Sequence, residues 1–318
     1  MSARYVAFGV TLALAWFVAI SAIVSALVVA VGRRTALKGS STFWLSLRLA
    51  PALGAAAFVT LLFVPSYWTY EPRDLVEGVP PVLALLALAG LALIAAAIVR
   101  GASAWRSVVR LSREWMRRAR RLSLDAIGLP VPAYAIEVEQ PAIALVGLIR
   151  PRLLVTTGLL KALTPSELAA TIAHEVGHQH AWDNLKRLAI CAAPDLLWRS
   201  DIARTIERRW ASAAEHGADS RAGRHGRDAR CALASALVKV ARLTPPARFE
   251  TQPVSTLIGG GDIASRVRTL LADREPAASS SPHRGWWALA LCGTALAAYA
   301  PLLRLVHEAT ETLLGSLP

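Results

Sequence analysis

The apolar positions of this chain fall into long, charge-free blocks. No charged residue lies between Arg4 and Arg33, from Leu49 to Tyr70, from Gly78 to Val99 or from Gly285 to Leu303. A helix that crosses a bilayer needs roughly 20 apolar residues, so the pattern predicts four spans. The first exceeds a signal peptide's apolar core of about 7–15 residues and reads as a retained anchor. A fifth run, LAICAAPDLLW (188–198), is too short to span and contains Pro194 and Asp195. It predicts a core helix or a surface touching the membrane face, in preference to a re-entrant segment.

Between the third and fourth blocks the pattern changes. Residues 101–125 predict a basic helix leaving the membrane. PAYAIEVE (132–139) alternates as a strand does, and two short β-rich runs within 142–160 flank Arg150-Pro151, predicting a hairpin or small sheet. Then TPSELAATIAHEVGHQH sets Thr164 as an N-cap, Pro165 at the first helical position and Glu167 at the third. That is a capping box with proline where helices accept it, so a helix starts near 165. Further helices are predicted over 200–223 and 229–243, and a Pro/Ser linker over 274–284. No internal repeat is visible. The expected fold is an α-helical integral membrane protein with a mainly α, small α+β domain. The expected division is three spans with short loops over 1–100, that domain over 101–284, a fourth span over 285–304 and a short tail over 305–318.

Composition supports this division. Hydrophobic residues make up 54% and charged residues 18% of 318 residues, whereas a soluble domain is nearer a quarter charged. The net charge of +13 admits a nucleic-acid binder. The arginines sit beside the apolar blocks, however, as topology requires, and few aromatics interleave with them. We therefore expect a lipid bilayer and no nucleic acid among the partners. Arg33, Arg34, Lys38 and Arg48 follow the first block; Glu71, Asp74 and Glu77 follow the second; eight arginines from Arg100 to Arg121 follow the third; Arg266, Arg268, Arg274 and Arg284 precede the fourth. The positive-inside rule then places 101–284 in the cytoplasm of a multi-pass cell-membrane protein, with the amino terminus outside. The three cysteines form no CxxC pair, which argues against a disulfide framework or a thiolate metal site.

TIAHEVGHQHAWD (171–183) carries the chemistry. Residues four apart on a helix share a face, so His174 and His178 can present two imidazoles to one ion. Glu175, beside the first, can act as general base on water. This spacing predicts a zinc hydrolase. A third ligand is expected, and Glu215 in AEHGAD (214–219) is the candidate, with Asp219 on its face as an acceptor for a ligand imidazole. His216 competes with Glu215 but points about 100° away. His180 lies off the His174/His178 face. Asp183 either holds a histidine or caps the helix end.

GLIRPRLLVTTGLLKALTPSELAATIAHEVGHQHAWDNL, followed by EHGAD, resembles the BlaR/MecR-type integral-membrane zinc metallopeptidases, within a broader group that includes HtpX and CAAX-prenyl-protease-type enzymes. The resemblance is clearest over 142–223, and the arrangement of three spans, domain and further span extends it. It implies that 101–284 is a zincin-like cytoplasmic protease domain, with zinc on His174, His178 and Glu215, Glu175 as base and Asp219 in support. It also implies that Ile143, Ala144, Leu145 and Val146, in the run 142–146, form an edge strand on which an extended substrate is laid. The chain departs from the pattern at Ala218, where a cysteine is usual. It also lacks a penicillin-binding sensor domain, so a β-lactam receptor is not expected.

The expected function is a membrane-bound zinc metalloendopeptidase that cleaves regulatory or membrane-associated proteins, with a role in signal transduction. The rival is a non-catalytic, zinc-containing signalling or scaffold protein, in which a fourth protein ligand closes the site. Substrate identity and oligomeric state are not encoded in any motif.

Overall fold

The computed structural model describes residues 3–33, 39–73, 78–122, 132–148, 151–243, 255–256, 262–272 and 284–316, with the backbone alone for 255–256 and 284–297. Three helical stretches among the described residues are long and apolar enough to cross a membrane: Ala3–Gly32, Ser41–Tyr70 and Pro81–Arg118. The first is α1. The second comprises α2 (Ser41–Phe58), a π-helical turn (Val59–Phe63) and α3 (Val64–Tyr70); the third is α4 (Pro81–Arg118). They pack on one another through buried Phe8, Leu12, Phe63 and Leu83. A Cβ on Gly90 of α4 would meet the Leu14 carbonyl oxygen of α1 at 2.8 Å, so only glycine permits this crossing. Pro65 has no N–H and deprives the Leu61 carbonyl of its helical partner. The Tyr299 hydroxyl fills that place, donating to Leu61 O at 2.8 Å. Tyr299 lies on α11 (Arg284–Ser316), the helix that contains the fourth predicted span. The predicted linker falls almost wholly outside the described residues, as do Arg34, Lys38, Asp74, Glu77, Ile149, Arg150 and Arg274.

The predicted basic helix over 101–125 is present to Arg118, and only its end is corrected. α4 continues unbroken from the apolar block to Arg118, and the chain then turns into β1 (Ala119–Leu122). It does so because β1 finds an antiparallel partner in β2 (Ala133–Ile136), pairing Ala119 with Ile136. The expected hairpin is present as β3 (Ile143–Val146) and β4 (Arg152–Thr156), and the sheet order is β1-β2-β4-β3-β5, where β5 is Ser255–Thr256. Along β3 and β4 the side chains alternate between two apolar layers. Ile143, Leu145, Leu153 and Val155 enter the core of the lobe. Ala144, Val146 and Leu154 meet Leu111, Trp115 and Met116 from the far end of α4.

Helices α5 (Thr157–Ala162), α6 (Pro165–His180), α7 (Asp183–Cys191), α8 (Asp201–Ala222), α9 (Arg227–Leu243) and α10 (Ile263–Leu271) complete the lobe. The short apolar run 188–198 becomes the end of α7 and the turn after it. Asp195 there is fully buried and binds Arg48 of α2 at 2.6 Å. Arg48, read from sequence as a loop charge beside the first span, is instead an inward-facing residue of the second helical stretch. Its Nε also meets Glu207 of α8 at 2.6 Å. Around this pair Val28 and Trp44 of the membrane-type helices pack on Ile206 and Trp210 of α8, so the lobe is seated directly on α1 and α2.

Candidate metal centre

The predicted capping box starts α6. Thr164 N donates to Glu167 Oε2 at 2.8 Å, and Glu167 N donates back to Thr164 Oγ1 at 3.4 Å. Glu167 also accepts from Ser235 at 2.6 Å and Lys239 at 2.8 Å, both on α9. The helix that carries the motif is thereby fixed to its neighbour. Burial opposes ionisation of Glu167, yet these donors win and hold its pKa down at about 2.

Where α6 crosses α8, Gly177 faces Ala218. A Cβ at 177 would lie 3.2 Å from the Ala218 Cα, a backbone atom that cannot swing aside. Two small residues thus bring the helices close enough for a glutamate on one to reach imidazoles on the other. Ala218, where the resembling family carries cysteine, is fully buried in this crossing.

The structure brings His174, His178 and Glu215 together: one donor atom from each lies within 4.8 Å of the others, and all three residues are buried. His174 Nε2 and His178 Nε2 are 3.2 Å apart. Each is 3.5 Å from an oxygen of Glu215. The outward nitrogens meet carboxylates. His178 Nδ1 is 2.8 Å from Asp183 Oδ2, which resolves the two readings of Asp183 in favour of holding a histidine. His174 Nδ1 is 2.9 Å from Asp219 Oδ1, though not aligned as a hydrogen bond. With protons on the Nδ1 atoms, both Nε2 lone pairs and the Glu215 carboxylate converge on one point. The guanidinium of Arg266 on α10 reaches two of the three, with Nη1 3.0 Å from Glu215 Oε2 and Nη2 3.5 Å from His174 Nε2. Burial would disfavour imidazolium, but Asp183 and Glu215 outweigh it and push the pKa of His178 up to about 10. Against the same effect of burial, the two imidazoles hold Glu215 below the usual carboxylate range.

Glu175 lies beside this group, fully buried, and neither of its carboxylate oxygens has a hydrogen-bond partner among the described residues. Burial raises its pKa to about 7. The donor set of two imidazoles and a carboxylate, with an idle carboxylate alongside, fits a divalent metal ion. Neither His180 nor His216 belongs to the group.

Sequence reasoning missed one participant. Arg266 of α10 is 1% exposed. It binds both oxygens of Asp219 at 2.7 Å and lies 3.0 Å from Glu215 Oε2. From sequence it counted as a charge flanking the fourth span. The available signal was its place four residues before buried Leu270, on the apolar stripe of a short amphipathic helix.

The expected substrate edge is also corrected. Residues 143–146 do form a strand, but β3 is not at the edge of the sheet. β5 pairs with it antiparallel, Thr256 opposite Ala144 and Ser255 opposite Leu145. Further along, the Asn184 amide donates to the Leu145 and Gly147 carbonyls at 3.0 and 3.2 Å.

Residues 110–238 match the model of Peptidase family M48. The matched stretch carries β1 to β4, both helices that supply the converging donors, and most of α9. Together with three membrane-type helices, the lobe therefore has the character of an M48 peptidase domain, in a metallopeptidase associated with membranes.

Proposed function

We propose that the protein is a zinc metalloendopeptidase with His174, His178 and Glu215 as ligands and Glu175 as general base. Zinc suits two nitrogens and a carboxylate oxygen; when bound, it would polarise the scissile carbonyl and acidify water. Glu175 takes the proton of the attacking water and passes it to the leaving amine. Asp183 and Asp219 hold the imidazoles in the tautomer that directs Nε2 inward. A purely structural zinc needs a fourth protein donor, and among the described residues the group has three members; this favours catalysis over the scaffold reading.

The observation that carries the proposal is the pairing of three convergent, buried donor atoms with a buried carboxylate that bonds to nothing described. The substrates proposed are regulatory or membrane-associated proteins, reached from a lobe on the cytoplasmic side of a cell membrane, with the amino terminus outside and domain limits near 101 and 284. The BlaR/MecR-type arrangement agrees with three apolar helices before the lobe and α11 after it. An extended substrate pairing with β3 would have to displace β5.

The test compares wild type with Glu175→Gln. Wild type should carry about one zinc per chain and cleave peptides, whereas Glu175→Gln should retain zinc and lose roughly 10²–10⁴-fold in kcat/KM. Equal cleavage by both proteins would remove Glu175 from the mechanism, and a wild type without zinc would remove the metal.

A further inference from the structure

Arg100 follows directly on the apolar block of α4. Ile98 and Val99 before it are 65% and 63% exposed. Arg100 itself turns towards the lobe. Its Nε and Nη2 donate to the carbonyls of Cys191 and Ala193 at 3.2 and 2.8 Å, where α7 ends. Its Cζ lies 4.6 Å from the ring centre of Trp198, and that of Arg199 lies 5.2 Å from the same ring. Trp198 and its neighbour Leu196 are both exposed. An indole with guanidinium groups on it, level with the end of an apolar helix, suits the boundary between acyl chains and headgroups.

Arg187 lies four residues before Cys191, on the same side of α7, and the charges of Arg100 and Arg187 both reach the Cys191 thiol. Arg100 Nη1, Arg187 Nε and Arg187 Nη2 are buried without an acceptor among the described residues. Arg187 lies over Trp210, which is 2% exposed and whose Nε1 also lacks a partner there. The nearby carboxylates are committed elsewhere: Asp195 and Glu207 to Arg48, Asp201 to Arg204. Buried donors left unmatched are costly, and guanidinium groups match the oxygens of a phosphate. The ligand that fits therefore joins a phosphate, placed at these arginines, to an apolar chain laid along Ile98 and Val99. A net negative headgroup fits better than a zwitterionic one, since the arginines have no counter-charge of their own. An acidic peptide would meet the charges and leave the apolar surface uncovered.

We propose that Arg100, Arg187 and Arg199, with Trp198, form a binding site for the phosphate of an anionic phospholipid in the leaflet next to the lobe. The proposal rests on the reading of the apolar helices as membrane spans and not on the peptidase chemistry. It also ties the lipid to the metal centre, because α7 begins at Asp183, which holds His178.

The test uses the full-length protein. Recovery in nanodiscs of phosphatidylcholine checks the spans by themselves. Binding is then read by native mass spectrometry of the protein in detergent, titrated with phosphatidylglycerol, phosphatidylcholine or inorganic phosphate. Phosphatidylglycerol should bind roughly tenfold more tightly than phosphatidylcholine, and inorganic phosphate alone should not bind over the same range. Arg187→Gln and Arg199→Gln should each weaken phosphatidylglycerol about fivefold and leave phosphatidylcholine unchanged. Arg199 is exposed, so its variant should unfold at the wild-type temperature without lipid, and Arg199→Lys should lose less than Arg199→Gln. Arg224→Gln, in the exposed turn at the other end of α8, should bind as wild type does. Equal affinity for the two lipids, or an equal loss in Arg224→Gln, would overturn the site and leave the spans standing. Tight binding of inorganic phosphate alone would replace the lipid with a free anion. A protein that does not enter nanodiscs would remove the spans and the site together.

Discussion

Two arginines are buried among the described residues, and their surroundings differ in an instructive way. Arg48, at the junction of membrane-type helices and lobe, meets Asp195 and Glu207 at 2.6 Å each, and no atom of this trio is left buried without a partner. Arg266, at the candidate metal centre, pairs with Asp219 and Glu215 and feels Glu175, all buried. Both oxygens of Glu175 and both of Glu215 lack an aligned hydrogen bond among the described residues. The first cluster is electrostatically closed and needs nothing further. The second leaves four buried carboxylate oxygens without an aligned donor, and buried polar atoms left so are costly. A closed cluster marks a structural joint, whereas an open one marks a place where an ion or a reactant belongs.

The contrast can be broken, most strongly by Glu215→Ala. It should reduce bound zinc from about one per chain to near zero by elemental analysis, because two imidazoles alone hold zinc poorly. Next, Arg48→Met should destabilise the fold by about 3–5 kcal/mol in denaturant titration, since it strands two carboxylates. Replacing Asp195 and Glu207 with leucine in the same chain should recover most of that loss, as expected of a purely structural joint. At the other arginine, Arg266→Met should weaken zinc about 10–100-fold in chelator competition, with partial rescue by Arg266→Lys. Were zinc affinity unchanged, Arg266 would belong with Arg48 as a structural residue.

The smallest effect concerns Glu167. Its folded pKa lies at about 2, below the ordinary 4.5. Its contribution to stability is therefore complete above pH 4.5 or so and disappears as pH falls through about 2. Glu167→Gln should flatten that acid-side slope and cost of the order of 1 kcal/mol at neutral pH.

What was legible in the sequence was local. The capping of α6 is written in Thr164, Pro165 and Glu167, and the i, i+4 spacing of the histidines fixes their shared face. Glu215 stands out in the sequence as one of a second i, i+4 acidic pair, with Asp219. The features missed are long-range. Neither Arg48 with Asp195 nor Arg266 with Asp219 shows any local period, and a tally of loop charges gave both arginines to topology. The pairing of β3 with β5 joins residues about 110 positions apart, and a two-residue strand has no pattern of its own. The end of α4 was misplaced because Ala119–Leu122 suits a helix by propensity and becomes a strand only through β2.

One consequence follows from α8. Its first turns wedge against the lobe-facing ends of α1 and α2, where Ile202 meets Gly32, and its later turns bear Glu215 and Asp219. Glu207 and Glu215 are eight residues apart, about 12 Å along a rod that scarcely compresses. The position of Glu215 is thus set by the seat of the lobe on α1 and α2, while the two imidazoles are set by α6 from the interior of the lobe, so a sideways slip of α1 and α2 would change the distance between the carboxylate and the rings.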